Sequence, residues 1–326
     1  MTGLADQPFD RALAQWNQRW PLDASGAQAC VAVAFSAGAD STALLLAAHR
    51  RWPGRLVALH VHHGLQAAAD TFALQARATC ATLGIPLKIE RVNAAHAQGE
   101  SPEDAARRAR YSALAEMAAG SNAVAVLLGQ HADDQAETVM IALSRGAGLP
   151  GLAAMGEGFT RHGVFFGRPF LGLSAQMLRD GLVQSGQAFV DDPSNTDECY
   201  TRNRVRARLL PAWADTFPGF RTAIARTARH AAQAQTLLDE LADMDLQITG
   251  IPPGIVQLQT LRRERQGNAL RRWLKSTAQV SASEAQMAEL LDQIDACRTR
   301  GHRIHIKVAN GRVERNGGSL AFKPPI

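Results

Sequence analysis

Two short stretches hold most of the residues able to do chemistry. The first, Ser36-Ala37-Gly38-Ala39-Asp40-Ser41, combines small residues, two hydroxyls and one acid. Small residues let backbone N–H groups approach an anion, hydroxyls add donors, and a helix starting there adds the positive end of its dipole. The pattern is not the Walker A loop, which needs G-x-x-x-x-G-K-[ST]. An acid inside a phosphate cradle repels its ligand unless a cation intervenes, so Asp40 predicts a magnesium ion bridging it to a nucleotide. An ordinary strand-to-helix turn capped by Asp40 or Ser41 explains the same residues, and the hexapeptide alone leaves both readings open.

The second stretch, Gly129–Thr138, contains His131, Asp134 and Glu137. Three residues apart on a helix, Asp134 and Glu137 place both carboxylates on one face. A solvated helix start with acids at the dipole accounts for them as well. Arg110, in Ala106-Arg107-Arg108-Ala109-Arg110-Tyr111, is able to grip a carboxylate with two parallel bonds or to serve as a surface i,i+4 partner. His60, His62, His63 and His131 invite a transition-metal reading, but no nearby cysteine or acid completes a ligand set. Structural or nucleotide-contacting histidines are the better account. Arg202, Asn203, Arg204 and Arg206 open a helix with guanidiniums and an amide suited to RNA backbone or triphosphate, or form a charged helix face.

These groups need a scaffold that brings strand ends together. Apolar, β-branched runs at Ala29–Phe35, Leu56–Val61, Leu87–Val92 and Val124–Gly129 alternate with amphipathic stretches at Ser41–Arg51, Gln66–Leu83, Pro102–Ala119 and Ala132–Ser144. The third helix has a strong start in Ser101, Pro102, Glu103 and Asp104. The pattern predicts an α/β fold with a mainly parallel sheet and helices on both faces, whose ligands sit at the strands' exits. The Gly-rich stretch Arg145–Gly158 ends the alternation, and Arg168–Asn195 reads as irregular. A helix is expected near Asn203–Trp213, a long one over Thr222–Met244, and a break at Pro252-Pro253-Gly254. The tail predicts helices near Arg262–Lys275 and Ser283–Cys297 and a strand over Arg303–Val308. We therefore expect two domains, 1–217 and a smaller, mostly helical 218–326.

The chain has 326 residues, 46% of them hydrophobic, which excludes a disordered protein. No apolar run reaches the ~20 residues of a membrane-spanning helix, and the start lacks a secretory pattern, so no membrane partner and a cytoplasmic location are expected. The four cysteines, Cys30, Cys80, Cys199 and Cys297, form no C-x-x-C pair, which argues against zinc, an iron–sulfur cluster or a redox pair. Only four of the 35 basic residues are lysines. The excess of arginine suits phosphate and carboxylate recognition, and a GC-rich genome produces the same bias.

Ser36–Ser41 resembles the S-G-G-x-D-S loop of the PP-loop ATP pyrophosphatases, with Ala37 where glycine is usual. If that position required a left-handed backbone, alanine would cost on the order of 1 kcal/mol; we expect a negative φ and an intact loop. Three further segments resemble the tRNA(Ile)-lysidine synthases within that superfamily: Leu59–Leu65 (H-x-x-H-G-L), Gly129–Thr138 with Arg145–Leu149, and Asp191–Asn195 (D-P-S-N) with Tyr200–Arg206 (Y-x-R-N-x-x-R). They run in family order.

The resemblance implies a Rossmann-like PP-loop fold and an enzyme that adenylates the C2 oxygen of the wobble cytidine in a CAU-bearing tRNA(Ile). Free lysine then displaces AMP, giving lysidine. It implies ATP and magnesium as cofactors, with Ser36, Ala37, Gly38, Ala39, Asp40, Ser41 and His63 at the nucleotide and Asp40 at the metal. Arg110, Asp134 and Glu137 match positions that recognise lysine, and His131 matches one near nucleotide or phosphate. Arg202, Asn203 and Arg206 are expected to meet tRNA. So are Arg271 and Arg272, in a tail resembling the family's substrate-binding domain through Leu258–Leu261 and Asn268–Leu274. A homodimer is compatible with the resemblance. The rival readings are tRNA thiolation by a PP-loop relative, which typically needs paired cysteines, and a nucleotide- or RNA-binding module without activity.

Overall fold

The computed structural model describes residues 7–22, 29–62, 68–92, 102–191, 197–299 and 302–324. His63-Gly64-Leu65, the Ser101 cap and the Asp192–Asn195 part of the D-P-S-N motif lie outside the described residues. The chain divides into two compact units, Met1–His230 and Ala231–Ile326.

The first unit begins with helix α1 (Pro8–Arg19) and strand β1 (Cys30–Ala34), then α2 (Ala39–Arg51), β2 (Leu56–His62), α3 (Ala68–Leu83), β3 (Leu87–Arg91), α4 (Pro102–Ala119), β4 (Ala123–Leu127) and α5 (Ala132–Ser144). These are the four expected strand–helix pairs, preceded by a helix that the sequence did not announce. Beyond them come a one-turn helix α6 (Leu149–Leu152), a hairpin of β5 (Gly158–Arg161) and β6 (Val164–Gly167), and α7 (Ala175–Gln184).

α7 corrects the expectation that Arg168–Asn195 is irregular, and the hairpin falls where no element was expected. The hairpin strands are too short to show periodicity, whereas α7 carried a local signal. The Ser174 hydroxyl accepts the Met177 N–H at 3.2 Å, capping it.

The sheet order is β3-β2-β1-β4-β6-β5. All neighbours are parallel except β5, an antiparallel edge strand. The chain winds from β1 outward to β3, then returns to place β4 on the other side of β1. That reversal opens a crevice at the exits of β1 and β4, where an open α/β sheet binds its ligand. Alternation along the strands feeds two cores: Val31, Val33, Ala125 and Leu127 pack with residues of α1, α2 and α7, while Ala32, Val126 and Phe166 pack with Tyr111, Leu114 and Ala118 of α4.

The unit ends with α8 (Thr201–Arg204), a π-helical turn (Val205–Leu209), α9 (Leu210–Thr216) and the start of α10 (Phe220–Thr249). Val205, Leu210, Phe220 and Ile224 pack on Ala136, Val139 and Met140 of α5. This contact carries the arginine-rich turn to the second chemical stretch.

The second unit contains the end of α10, then α11 (Ile255–Gln259), α12 (Arg263–Ala278), α13 (Glu284–Asp295) and an antiparallel sheet β7-β8-β9 (His305–Val308, Gly311–Asn316, Ser319–Lys323). Trp273, Leu270, Leu290 and Val313 lie in its core. The sheet adds two strands to the one expected. Among the described residues, no helix is long and apolar enough to cross a membrane.

Candidate active site

Ser36–Ser41 leaves β1 and enters α2 as expected. Gly38 caps α2 without a side-chain acceptor, so the N–H groups of the first turn remain for a ligand. Ser41 Oγ donates to the Gly38 carbonyl at 3.0 Å and accepts the Ser36 N–H at 3.2 Å, fixing the turn from within. The Ser36 hydroxyl lies 3.1 Å from that of Ser41 on the exposed side of the loop.

Ala37 departs from expectation. Its φ is +67°, in the left-handed region, rather than negative. The Ala37 carbonyl accepts the Val190 N–H at 3.0 Å, and Gly38 bridges Val190 in parallel fashion. Tethering to the segment after α7 holds the turn open at a cost for alanine on the order of 1 kcal/mol.

The β4 exit lies directly opposite. A Cβ at Gly129 would fall 3.0 Å from the Asp40 carbonyl carbon and oxygen, so the missing side chain permits the first turn of α2 to press against the end of β4. The two chemical stretches therefore share one cleft of about 560 Å³. Ser36, Gly38, Ala39, Asp40 and Ser41 line it from the loop, Gly129, Gln130 and Asp134 from the β4 exit, and Arg110 with Tyr111 from α4.

His131 joins the two sides. It caps α5: its N–H donates to Asp134 Oδ2 at 3.0 Å, and the Asp134 N–H makes a long 3.4 Å contact to Nδ1. Its Nε2 lies 3.5 Å from both Asp40 Oδ2 and Asp134 Oδ2, and its Nδ1 3.8 Å from Asp133 Oδ2. Burial disfavours the imidazolium, but the carboxylates of Asp40, Asp134 and Asp133 outweigh it and push His131 up to about 9. Protonation at Nδ1 trades the long amide contact for the Asp133 carboxylate. Asp133 itself is structural: it accepts the Ala175 N–H at 2.8 Å and pairs with Arg221 at 2.5 Å.

Glu137 stands one turn further along α5, fully buried. Arg206 holds its carboxylate through Nε at 2.7 Å and Nη2 at 3.1 Å, and Nη2 reaches Asp134 Oδ1 at 3.5 Å. Burial raises the Glu137 pKa against the opposing pull of Arg206. Asp134 therefore faces the cleft while Glu137 sits behind it in an ion pair. Arg206, expected at the tRNA, pairs with these two carboxylates while its side chain stays partly exposed. Asn203 donates to the Asp197 carbonyl at 2.8 Å, and Arg202 flanks the same turn. In the second unit, Arg272 is bound to Asp243 by two 2.7 Å bonds, whereas Arg271 is exposed.

The two histidines of β2 each have a hydrogen-bond partner. His60 Nδ1 meets the Phe35 carbonyl at 2.8 Å, which steadies the strand end just before the loop. Burial lowers the His60 pKa despite that bond. His62 Nε2 lies 3.1 Å from Asp70. Among the described residues, no three His, Cys, Asp or Glu side chains are grouped to hold a transition metal.

Sequence reasoning missed two supports. Buried Arg168 bonds Gln130 and donates to the Gly156 carbonyl at 2.8 Å, fixing the β4 exit. Arg179 and Asp191, paired at 2.8 Å, stand at the cleft rim. The first follows the apolar run Val164–Phe166, a signal of a strand exit; in the second, Asp191 heads the D-P-S-N segment but Arg179 had no local signal.

The PP-loop domain family matches residues 7–213, and the TilS substrate binding domain family matches residues 255–320. A tRNA(Ile)-lysidine synthase of Polaromonas naphthalenivorans (strain CJ2) is 59% identical over 290 residues, covering 89% of this chain and 88% of the relative. The chain belongs to the tRNA(Ile)-lysidine synthase family. The synthase of Bordetella pertussis (strain Tohama I / ATCC BAA-589 / NCTC 13251) is 41% identical, over 89% of this chain and 94% of its own length. That of Burkholderia pseudomallei (strain K96243) is 44% identical over 87% of this chain, which spans 59% of that longer relative. The fold is shared with the U34-tRNA thiolase NcsA from Methanococcus maripaludis: TM-score 0.57, 16% identity, 68% of this chain and 78% of the thiolase covered.

Proposed function

We propose that the protein joins free lysine to C2 of the wobble cytidine in a CAU-bearing tRNA(Ile), using ATP and passing through an adenylated cytidine. The observation that carries this reading is the shared cleft: a nucleotide loop at the β1 exit faces Asp134 at the β4 exit and Arg110 on α4.

The arrangement suits a reaction in two halves. The α2 N–H groups and the exposed Ser36 hydroxyl hold the triphosphate and absorb charge that grows on pyrophosphate as it leaves. The C2 oxygen of cytidine attacks the α-phosphorus, pyrophosphate departs, and the oxygen becomes part of an AMP ester. Lysine's amine then attacks C2, the C2–O bond breaks, and AMP leaves carrying that oxygen. Arg110 grips the lysine carboxylate, and Asp134 holds the amine toward the base. Glu137 stands behind Asp134, paired with Arg206.

Magnesium fits this donor set. It takes hard oxygens, commonly one or two carboxylates beside substrate phosphates, and the Asp40 carboxylate is 40% exposed at the loop with Asp134 across from it. Asp40 would hold the ion, which would neutralise phosphate charge when bound.

A thiolase reading has less support. Cys80 and Cys297 are buried in core clusters of separate units, and burial pushes the Cys80 thiol up to about 11. A two-stage incubation tests the adenylate. With ATP and CAU-bearing tRNA but no lysine, AMP is expected on the RNA with pyrophosphate released; adding lysine then frees AMP. Release of AMP into solution without lysine contradicts the sequence of steps.

A further inference from the structure

Four arginines surround one aromatic cluster beside the cleft. Tyr111 is 1% exposed and meets Phe159 and Phe166 edge-on, with centroids 5.7 and 5.1 Å away. The guanidiniums of Arg161, Arg107 and Arg110 lie 4.9, 5.7 and 5.8 Å from its ring centroid, and that of Arg168 lies 4.2 Å from the Phe159 ring. Arg168 is occupied by Gln130 and Gly156. Among the described residues, neither Arg107 nor Arg161 has a carboxylate at ion-pair distance, although both are half-buried. Like charges gathered on an apolar support, with no acid among the described residues paired to Arg107 or Arg161, form a site for an anion.

That anion differs from those already placed. Resting on the function proposed above, the triphosphate belongs to the β1 loop and the lysine carboxylate to Arg110. Arg161 lies on edge strand β5, three strands from β1, or about 14 Å across the sheet. A nucleotide entering the cleft carries its strand over the rim, and Tyr111 is both a wall of the cleft and the platform under these arginines. We infer that Arg107 and Arg161 bind a phosphodiester group of the RNA strand beside the nucleotide held in the cleft. The contact positions the strand without reading its sequence.

The test is the salt dependence of binding of a CAU-bearing tRNA transcript to the full-length protein. It compares wild type with Arg107→Gln/Arg161→Gln, Arg161→Lys and Arg108→Gln, the last altering a neighbouring exposed arginine on α4. The double variant should bind several-fold more weakly at low salt, and the slope of log K against log salt should fall by about 0.7 to 0.9, the value for one phosphate. Arg161→Lys should keep most of the slope, Arg108→Gln all of it, and Kd for ATP should not change. An unchanged slope and affinity in the double variant overturns the site. Loss of ATP affinity with tRNA binding intact also overturns it, assigning the arginines to nucleotide instead. Wild-type protein that binds no tRNA rejects the underlying function together with this inference.

Discussion

The guanidinium of Arg206 closes on the carboxylate of Glu137 with two bonds, 2.7 and 3.1 Å long. Glu137 has no exposed surface, whereas the Arg206 side chain remains 38% exposed. The pair is therefore asymmetric: removing the arginine strands a buried carboxylate, but removing the acid's charge leaves a guanidinium able to reach water. Arg206→Met should cost about 1–3 kcal/mol of stability, and more than Glu137→Gln. Denaturant unfolding of both variants checks the order; a larger loss for Glu137→Gln contradicts it.

His131 makes stability depend on pH. Its folded pKa of about 9 stands above the ordinary value of 6.5, so the folded state holds the proton more tightly. The resulting stabilisation is fully present below about pH 6.5 and disappears as pH rises through about 9. It is on the order of 3 kcal/mol, and His131→Gln should lack this slope. Unfolding measured from pH 6 to 9.5 would refute the assignment if both proteins decline in parallel.

Asp134 faces the cleft, and on the reading proposed above it serves lysine rather than the nucleotide. Asp134→Asn is expected to raise KM for lysine about ten-fold or more while Kd for ATP stays within about two-fold, a separation of roughly 1.4 kcal/mol per decade. Equal losses for both ligands would contradict the division of labour.

Ala37 occupies a left-handed backbone that a β-branched side chain resists. Ala37→Gly should keep ATP-dependent pyrophosphate release within about two-fold, and Ala37→Val should lower it more than about ten-fold. Tolerance of valine would show that this turn does not hold phosphate.

The parts of this architecture that local chemistry specifies were legible beforehand. Buried parallel strands such as Cys30–Ala34 and Ala123–Leu127 are continuous apolar runs, and their exits locate the loop and the start of α5. What was not legible depends on partners distant in the chain. The positive φ of Ala37 follows from its bond to Val190. The partner of Glu137 lies 69 residues away, and that of Asp133 lies 88 away. The pairing of Arg206 with Glu137 and of Arg272 with Asp243 was likewise not legible, because each acid lies on another helix far along the chain.

Mass spectrometry of nucleosides after incubation with isotope-labelled lysine, ATP and a CAU-bearing tRNA(Ile) tests the central claim most directly. The account predicts that the label appears on the wobble cytidine, with one AMP and one pyrophosphate formed per lysine joined. An unmodified cytidine while ATP is consumed, or label on any other nucleoside, would contradict it.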